Sequence, residues 1–175
     1  MKIYERTLSS KKIYEGRILD LDVKKVELIN GKTSTREIVD HKDAAAILPI
    51  IDGQVVFVRQ YRKAIESVIT EIPAGLLDEG ELPIEAAIRE LQEEVGLIPL
   101  DLKELGSMWP SPGFCNEKTT IFLATEFSSN VLEPDEDEFL HIYRLPIKTV
   151  RALYVAGKFQ DAKTACALGY YFSQC

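Results

Sequence analysis

Three glutamates, Glu90, Glu93 and Glu94, stand beside Arg89 in the stretch from Pro83 to Val95. That stretch reads as a helix, because Ile84, Ile88, Leu91 and Val95 recur at helical spacing and Gly96 follows as a left-handed stop. With Glu90 set at zero and about 100 degrees per residue, the four apolar side chains fall between about 100 and 160 degrees, which marks the expected core face. The three carboxylates fall within about 60 degrees of zero, with the small Ala86 on the same side. Like charges held this close repel unless something cationic sits among them. Glu90 and Glu94, one turn apart, can share hard cations, which prefer oxygen ligands and leave positions open for phosphate oxygens. Arg89 is placed to orient one of the glutamates. A Glu-rich helix can equally be a solvated acidic face, and the helix by itself does not choose between the two.

The elements around it are those of a mixed α and β chain. Val23 to Ile29 and Thr33 to Val39 flank Asn30-Gly31 and predict a hairpin with a type I′ turn. Ala44 to Ile51 and Gln54 to Gln60 flank Asp52-Gly53 and predict a second, in which Val55 to Val58 form a buried run. Strands are expected near Leu102 to Trp109, Thr119 to Phe127 and Phe139 to Leu145, and terminal helices at Ile147 to Ala156 and Asp161 to Ser173. Ser128 to Glu138 is polar and acidic. The division expected is a small N-terminal strand unit over residues 1–42 and a main domain over 43–175.

A chain of 175 residues fits one domain with a small accessory unit and can bury a real core. Its 28% charged and 46% hydrophobic residues are those of an ordinary soluble protein, and no apolar run approaches a membrane span. No apolar leader follows Met1, so a mature cytoplasmic protein is expected. The net charge of -7 disfavours nucleic acid and anionic membranes as partners. An acidic protein with an anionic substrate needs a local cation, which Mg²⁺ or Mn²⁺ would supply. Cys115, Cys166 and Cys175 are widely spaced without a CxxC pair, so free thiols are expected. Cys115 has no placed histidine base that would make it a nucleophile, and His41 and His141 are isolated.

The wider pattern decides between ligand set and solvated face. Gly75, Glu81, Arg89, Glu90, Leu91, Glu93, Glu94, Gly96 and Leu97 reproduce the Nudix box, G-x5-E-x7-R-E-U-x-E-E-x-G-U with U aliphatic, at every fixed position. Ordinary residue frequencies give a chance match on the order of 10⁻¹⁰ per starting point. Glu71-Ile72-Pro73-Ala74-Gly75 and Trp109-Pro110-Ser111-Pro112-Gly113-Phe114, with Pro112 placed 15 residues after the box, resemble the ADP-ribose pyrophosphatase branch of the Nudix hydrolases.

The resemblance implies an α/β/α sandwich around a mixed sheet, with the N-terminal strand unit exchanged in a homodimer. It implies hydrolysis of ADP-ribose to AMP and ribose 5-phosphate with Mg²⁺ or Mn²⁺. Glu90 and Glu94 would be the main metal ligands, Glu93 a further ligand or a partner of Arg89, and the Ala74 carbonyl a backbone ligand, with Glu81 assisting from the preceding loop. The base would come from Pro134-Asp135-Glu136-Asp137-Glu138, with Glu136 first and Glu138 second. Arg62 would meet the diphosphate or the base, Glu71 the adenine, Glu117 the terminal ribose, and Arg36 would be offered by the partner's N-terminal unit. A related substrate such as GDP-mannose, or a module that binds ADP-ribose without cleaving it, are the alternatives.

Overall fold

The structure is a computed structural model that describes residues 3–129 and 140–174. The chain divides into two compact units, one running up to Asp43 and joined by Trp109–Lys118, the other made of Ala44–Met108 and the chain from Thr119 onward.

The first unit is a three-stranded antiparallel sheet of β1 (Arg6–Glu15), β2 (Leu19–Glu27) and β3 (Thr33–His41), in that order. The expected hairpin between β2 and β3 is present, but its turn is not type I′. That turn needs left-handed backbone at both central residues, and here Gly31 has φ 77 while Asn30 does not join it. The Leu28 N–H donates to the Lys32 carbonyl at 2.7 Å and the Gly31 N–H to the Leu28 carbonyl at 2.9 Å, which closes a three-residue loop. The Asn30 side-chain oxygen accepts the Lys32 N–H at 3.0 Å and makes a second left-handed residue unnecessary. β1 was not foreseen, because Arg-Thr-Leu-Ser-Ser-Lys-Lys-Ile-Tyr-Glu is exposed along its whole length and shows no clean alternation. The later segment of this unit is tied to β3 by bonds from the Val39 N–H to the Phe114 carbonyl (2.7 Å) and from the Asn116 N–H to the Val39 carbonyl (3.3 Å).

The second unit contains β4 (Ala44–Ile51), β5 (Gln54–Arg62), β6 (Ser67–Glu71), β7 (Ala74–Leu76), α1 (Pro83–Val95), β8 (Leu97–Pro99), β9 (Lys103–Met108), β10 (Thr119–Ala124), β11 (Phe127–Ser129), β12 (His141–Pro146), α2 (Ile147–Val155) and α3 (Ala162–Ser173). Its main sheet runs β12-β5-β4-β10-β9, with β6 added to β5 and β7 to β4, while β8 and β11 form a separate pair. β10 lies parallel to β4 and the other pairings are antiparallel, so the sheet is mixed. Asp52 and Gly53, with φ 49 and 71, make the expected two-residue turn into β5. Beyond Ile50 and Ile51 the ladder between β4 and β5 stops, and the sheet forks. β6 lines one prong and β7 the other, so Ile72-Pro73 crosses the fork.

Alternation along β4 sorts the core into two layers. Ala46 and Leu48 join Phe57, Ile121, Val150 and Leu168 under α2 and α3, whereas Ala45 and Ile47 join Ala86, Ala87, Leu91 and Phe122 under α1. This is the α/β/α sandwich that the sequence led us to expect. Among the described residues, no helix is long and apolar enough to cross a membrane.

α1 begins and ends where its pattern predicts, yet its buried face takes in only part of the apolar stripe: Leu91 is fully buried and Val95 packs against the same cluster. The buried residues are Ala86, Ala87, Glu90, Leu91 and Glu94, an arc from about -40 to 100 degrees on the same wheel. Ile84 is 41% exposed. The helix is therefore rolled so that two glutamates lie inside its buried arc and alanines face the sheet. Leu91→Ala should cost about 2–5 kcal/mol and Ile84→Ala no more than about 0.5 kcal/mol in urea unfolding. Equal losses would return the core to the apolar stripe.

Candidate active site

The site grows from the contact between α1 and the strand that crosses the fork. Gly75 lies directly over Glu90: a Cβ added there would fall 1.9 Å from Glu90 Oε1, so any side chain at this position would displace that carboxylate. One residue earlier, the Ala74 N–H donates to Glu94 Oε2 at 3.2 Å. Both carboxylates are buried, Glu90 at 8% and Glu94 at 7% exposure. The Pro73 carbonyl accepts the Ile47 N–H at 2.9 Å and fixes the strand to β4.

Arg89 organises the remaining acids. Its Nε and Nη2 donate to the two oxygens of Glu81, each at 3.0 Å. Nη1 reaches Glu90 Oε1 at 2.6 Å and Glu93 Oε2 at 3.0 Å, and Nη2 also reaches the Leu76 carbonyl at 3.0 Å. These partners engage all the N–H groups of the guanidinium, so Arg89 acts on the carboxylates rather than on a ligand. Its pKa is raised, first by the hydrogen bonds to Glu81, and the Glu81 carboxyl is lowered, first by the same bonds. The Asp78 N–H donates to Glu81 Oε2 at 2.8 Å, which ties the loop before α1 to the cluster. At the helix start, the Leu82 N–H donates to Glu85 Oε2 at 3.0 Å and Pro83 occupies the first turn.

A divalent ion is compatible with this arrangement. Among the described residues, no group of three or more His, Cys, Asp or Glu side chains is placed to hold a metal ion together. A magnesium-type site does not need such a group, since one or two carboxylates, waters and substrate phosphates complete its shell. Glu90 and Glu94 supply hard oxygen donors beside the Ala74-Gly75 backbone. Glu81, Glu90 and Glu93 set three formal negative charges against the single guanidinium of Arg89, a balance that a cation would correct.

Arg62 and Glu71 also come together, and Glu71 is buried in that contact. It is 1% exposed. Its oxygens receive Arg62 Nε at 2.7 Å and Arg62 Nη2 at 2.8 Å, and Lys163 Nζ in a close contact with Oε2. Burial would raise the Glu71 carboxyl, but the Arg62 hydrogen bonds and then the Lys163 charge hold it below its ordinary value. The sequence reading missed Lys163. Its signal was a lone lysine just after a capping aspartate, Asp161, at the start of an otherwise apolar helix.

Arg36 and Glu117 belong to the first unit. Arg36 donates to both oxygens of Glu5, from Nε at 3.0 Å and from Nη2 at 2.5 Å. Glu117 lies 3.8 Å from His41 Nδ1. In the same unit Ile38, Trp109, Pro112, Phe114, Cys115 and Asn116 line a pocket of about 270 Å³. Glu136 and Glu138 lie outside the described residues.

The layered sheet and the acid-bearing α1 held by a glycine-containing strand define a Nudix hydrolase. Residues 40–164 match the NUDIX domain, and the chain belongs to that family. It is 42% identical to an ADP-ribose pyrophosphatase of Bacillus subtilis over 95% of this chain and 91% of that one. It is 40% identical to a methanol dehydrogenase activator of Bacillus methanolicus, with the same coverage of 95% and 91%. The crystal structure of an ADP compounds hydrolase, 28% identical, superposes with a TM-score of 0.88 over 99% of this chain and 96% of that chain.

Gly75→Ala should weaken Mn²⁺ binding at least about tenfold in calorimetric titration, because a displaced supporting group typically costs a metal site 10–100-fold. Unchanged affinity would separate Glu90 from the metal.

Proposed function

We propose that this protein hydrolyses the diphosphate bond of ADP-ribose, giving AMP and ribose 5-phosphate, with Mg²⁺ or Mn²⁺ as cofactor. The observation that carries this is the buried pair Glu90 and Glu94 held against Ala74-Gly75. It occurs in a chain 42% identical to an ADP-ribose pyrophosphatase over 95% of its length. Glu90, Glu94 and the Ala74 carbonyl would hold the metal, with Glu93 as a further ligand. The bound ion would polarise the diphosphate, offset charge on the departing phosphate and lower the pKa of an attacking water.

The chain's own groups do the positioning. Arg89 fixes the Glu90 and Glu93 carboxylates, so little reorganisation is needed when phosphate arrives. Glu81 anchors Arg89 from the loop. The low exposure of Glu90 and Glu94 limits competing water around the ligand oxygens. Proton removal from the attacking water is assigned to Glu136, with Glu138 as the second choice. Arg62 meets the diphosphate, and Glu117 the terminal ribose. Arg36 of the partner subunit completes the substrate contacts in a cytoplasmic homodimer formed through the strand unit of residues 1–42.

Incubation with ADP-ribose and Mg²⁺ or Mn²⁺ should release AMP, with kcat/KM well above that for GDP-mannose. Glu94→Gln keeps the side-chain shape and should lower kcat at least about 100-fold without loss of folding. Absence of AMP with either metal would sink the proposal, and an unchanged kcat would remove Glu94 from the site. For the dimer, sedimentation equilibrium should return twice the 19.7 kDa chain mass. A single-chain mass would leave Arg36 without the role given to it.

A further inference from the structure

The cluster around Glu71 is built more elaborately than a buried ion pair requires. Arg62 makes a two-pronged contact through Nε and Nη2, and its side chain is 45% exposed against 2% for Glu71. The guanidinium is thus fixed along one edge and reaches solvent along the other. Nη1 makes no hydrogen bond to the described residues, which leaves a planar edge of donors suited to phosphate oxygens.

Lys163 meets the same carboxylate from another element. It comes from the first turn of α3 to Glu71 Oε2, and Asp161 Oδ1 holds its ammonium from the other side at 3.1 Å. Asp161 Oδ2 also accepts the Thr164 N–H at 3.0 Å and the Thr164 hydroxyl at 2.6 Å. Thr164 Oγ1 in turn accepts the Ile72 N–H at 2.9 Å. One helical turn therefore grips Glu71 by its side chain and Ile72 by its backbone. Without Lys163, Arg62 would be the one charged partner left to the buried carboxylate among the described residues, and the pair would lose its tie to α3.

We propose that Lys163 is a positioning residue for diphosphate recognition: by fixing the Glu71 carboxylate it holds the Arg62 guanidinium with its outer edge toward a phosphate. This rests on the reading of the site as one for a nucleoside diphosphate. It adds a residue from α3, outside the acid-bearing box, to substrate binding.

The test uses inorganic pyrophosphate as a probe of the Arg62 edge, titrated calorimetrically in Mg²⁺. Lys163→Met should weaken its binding about tenfold, Lys163→Arg should stay within about threefold of wild type, and Lys163→Met should add nothing in an Arg62→Met background. In turnover, Lys163→Met should raise KM for ADP-ribose while kcat stays within about threefold. Unchanged pyrophosphate binding in Lys163→Met, effects that multiply with Arg62→Met, or a wild type that binds no pyrophosphate would each overturn the proposal. Lys163→Gln, which keeps a donor without the charge, should repeat the Lys163→Met result. If neither variant folds, Lys163 is only a pillar of the core and the proposal fails. A wild type that binds pyrophosphate but does not cleave ADP-ribose overturns the proposed function alone.

Discussion

The approach of Gly75 to Glu90 is the constraint on which the rest of the structure depends. A side-chain carbon on Gly75 would fall 1.9 Å from Glu90 Oε1, so the bare backbone there lets that carboxylate lie against the strand. Ala86 and Ala87 complete the arrangement, because only small side chains let the helix settle with carboxylates inside its buried arc. Burying carboxyl groups is costly unless they gain polar partners. The Ala74 N–H and Arg89 supply partners from the protein itself. The core beneath α1 and the chemistry on its flank are consequently one packing solution, in which Leu91 carries the apolar anchoring and the alanines grant the distance.

Much of this was legible in the chain. The Asp52-Gly53 turn, the limits of α1 and the terminal helices follow from local rules about left-handed residues, capping and period, and the structure has them. That Arg89 orients a glutamate follows from helical spacing, which sets Glu93 one turn along α1; its bond to the adjacent Glu90 does not. Nor does the roll of α1. Periodicity reports where apolar residues are, whereas the buried arc here also takes in the small Ala86 and Ala87 and the glutamates beside Ala74 and Gly75, which the sequence could not place over a particular helix face. Ile84, in the first turn of α1, stays largely exposed. β6 and β7 escaped notice because strands this short have no period to read, and their pairing partners are set by the fork between β4 and β5.

The cluster of Arg62, Glu71 and Lys163 was only half visible. Arg62 and Glu71 are close in sequence and lie on paired strands, but the register sets Arg62 against Ser67 and Glu71 against Val58, so the long arginine side chain reaches along the ladder to meet the carboxylate. Lys163 arrives from a helix 92 positions away, and no spacing rule anticipates such a contact. A polar residue at the start of an apolar helix is ordinarily read as a cap, and Asp161 does fill that role. The acidic run containing Glu136 and Glu138 lies beyond the described residues, so its part in the chemistry stands on sequence resemblance alone.

The forked sheet divides the chain by how freely its length can vary. The exposed turn Lys63–Ile65, closed by Glu66 at φ 50, follows β5 at the outer end of one prong, and its Lys63 ammonium bonds to Glu66 Oε1 at 2.7 Å within the turn, so added or lost residues there would be absorbed at the surface. From Ile72 to Leu76 there is no such slack. Each residue in that run is tied to its neighbours: Ile72 to α3, Pro73 to β4, Ala74 and Gly75 to the glutamates, and Leu76 to Arg89. A single inserted residue would shift every one of these attachments at once, so in descendants of this chain that stretch should change its letters long before it changes its length.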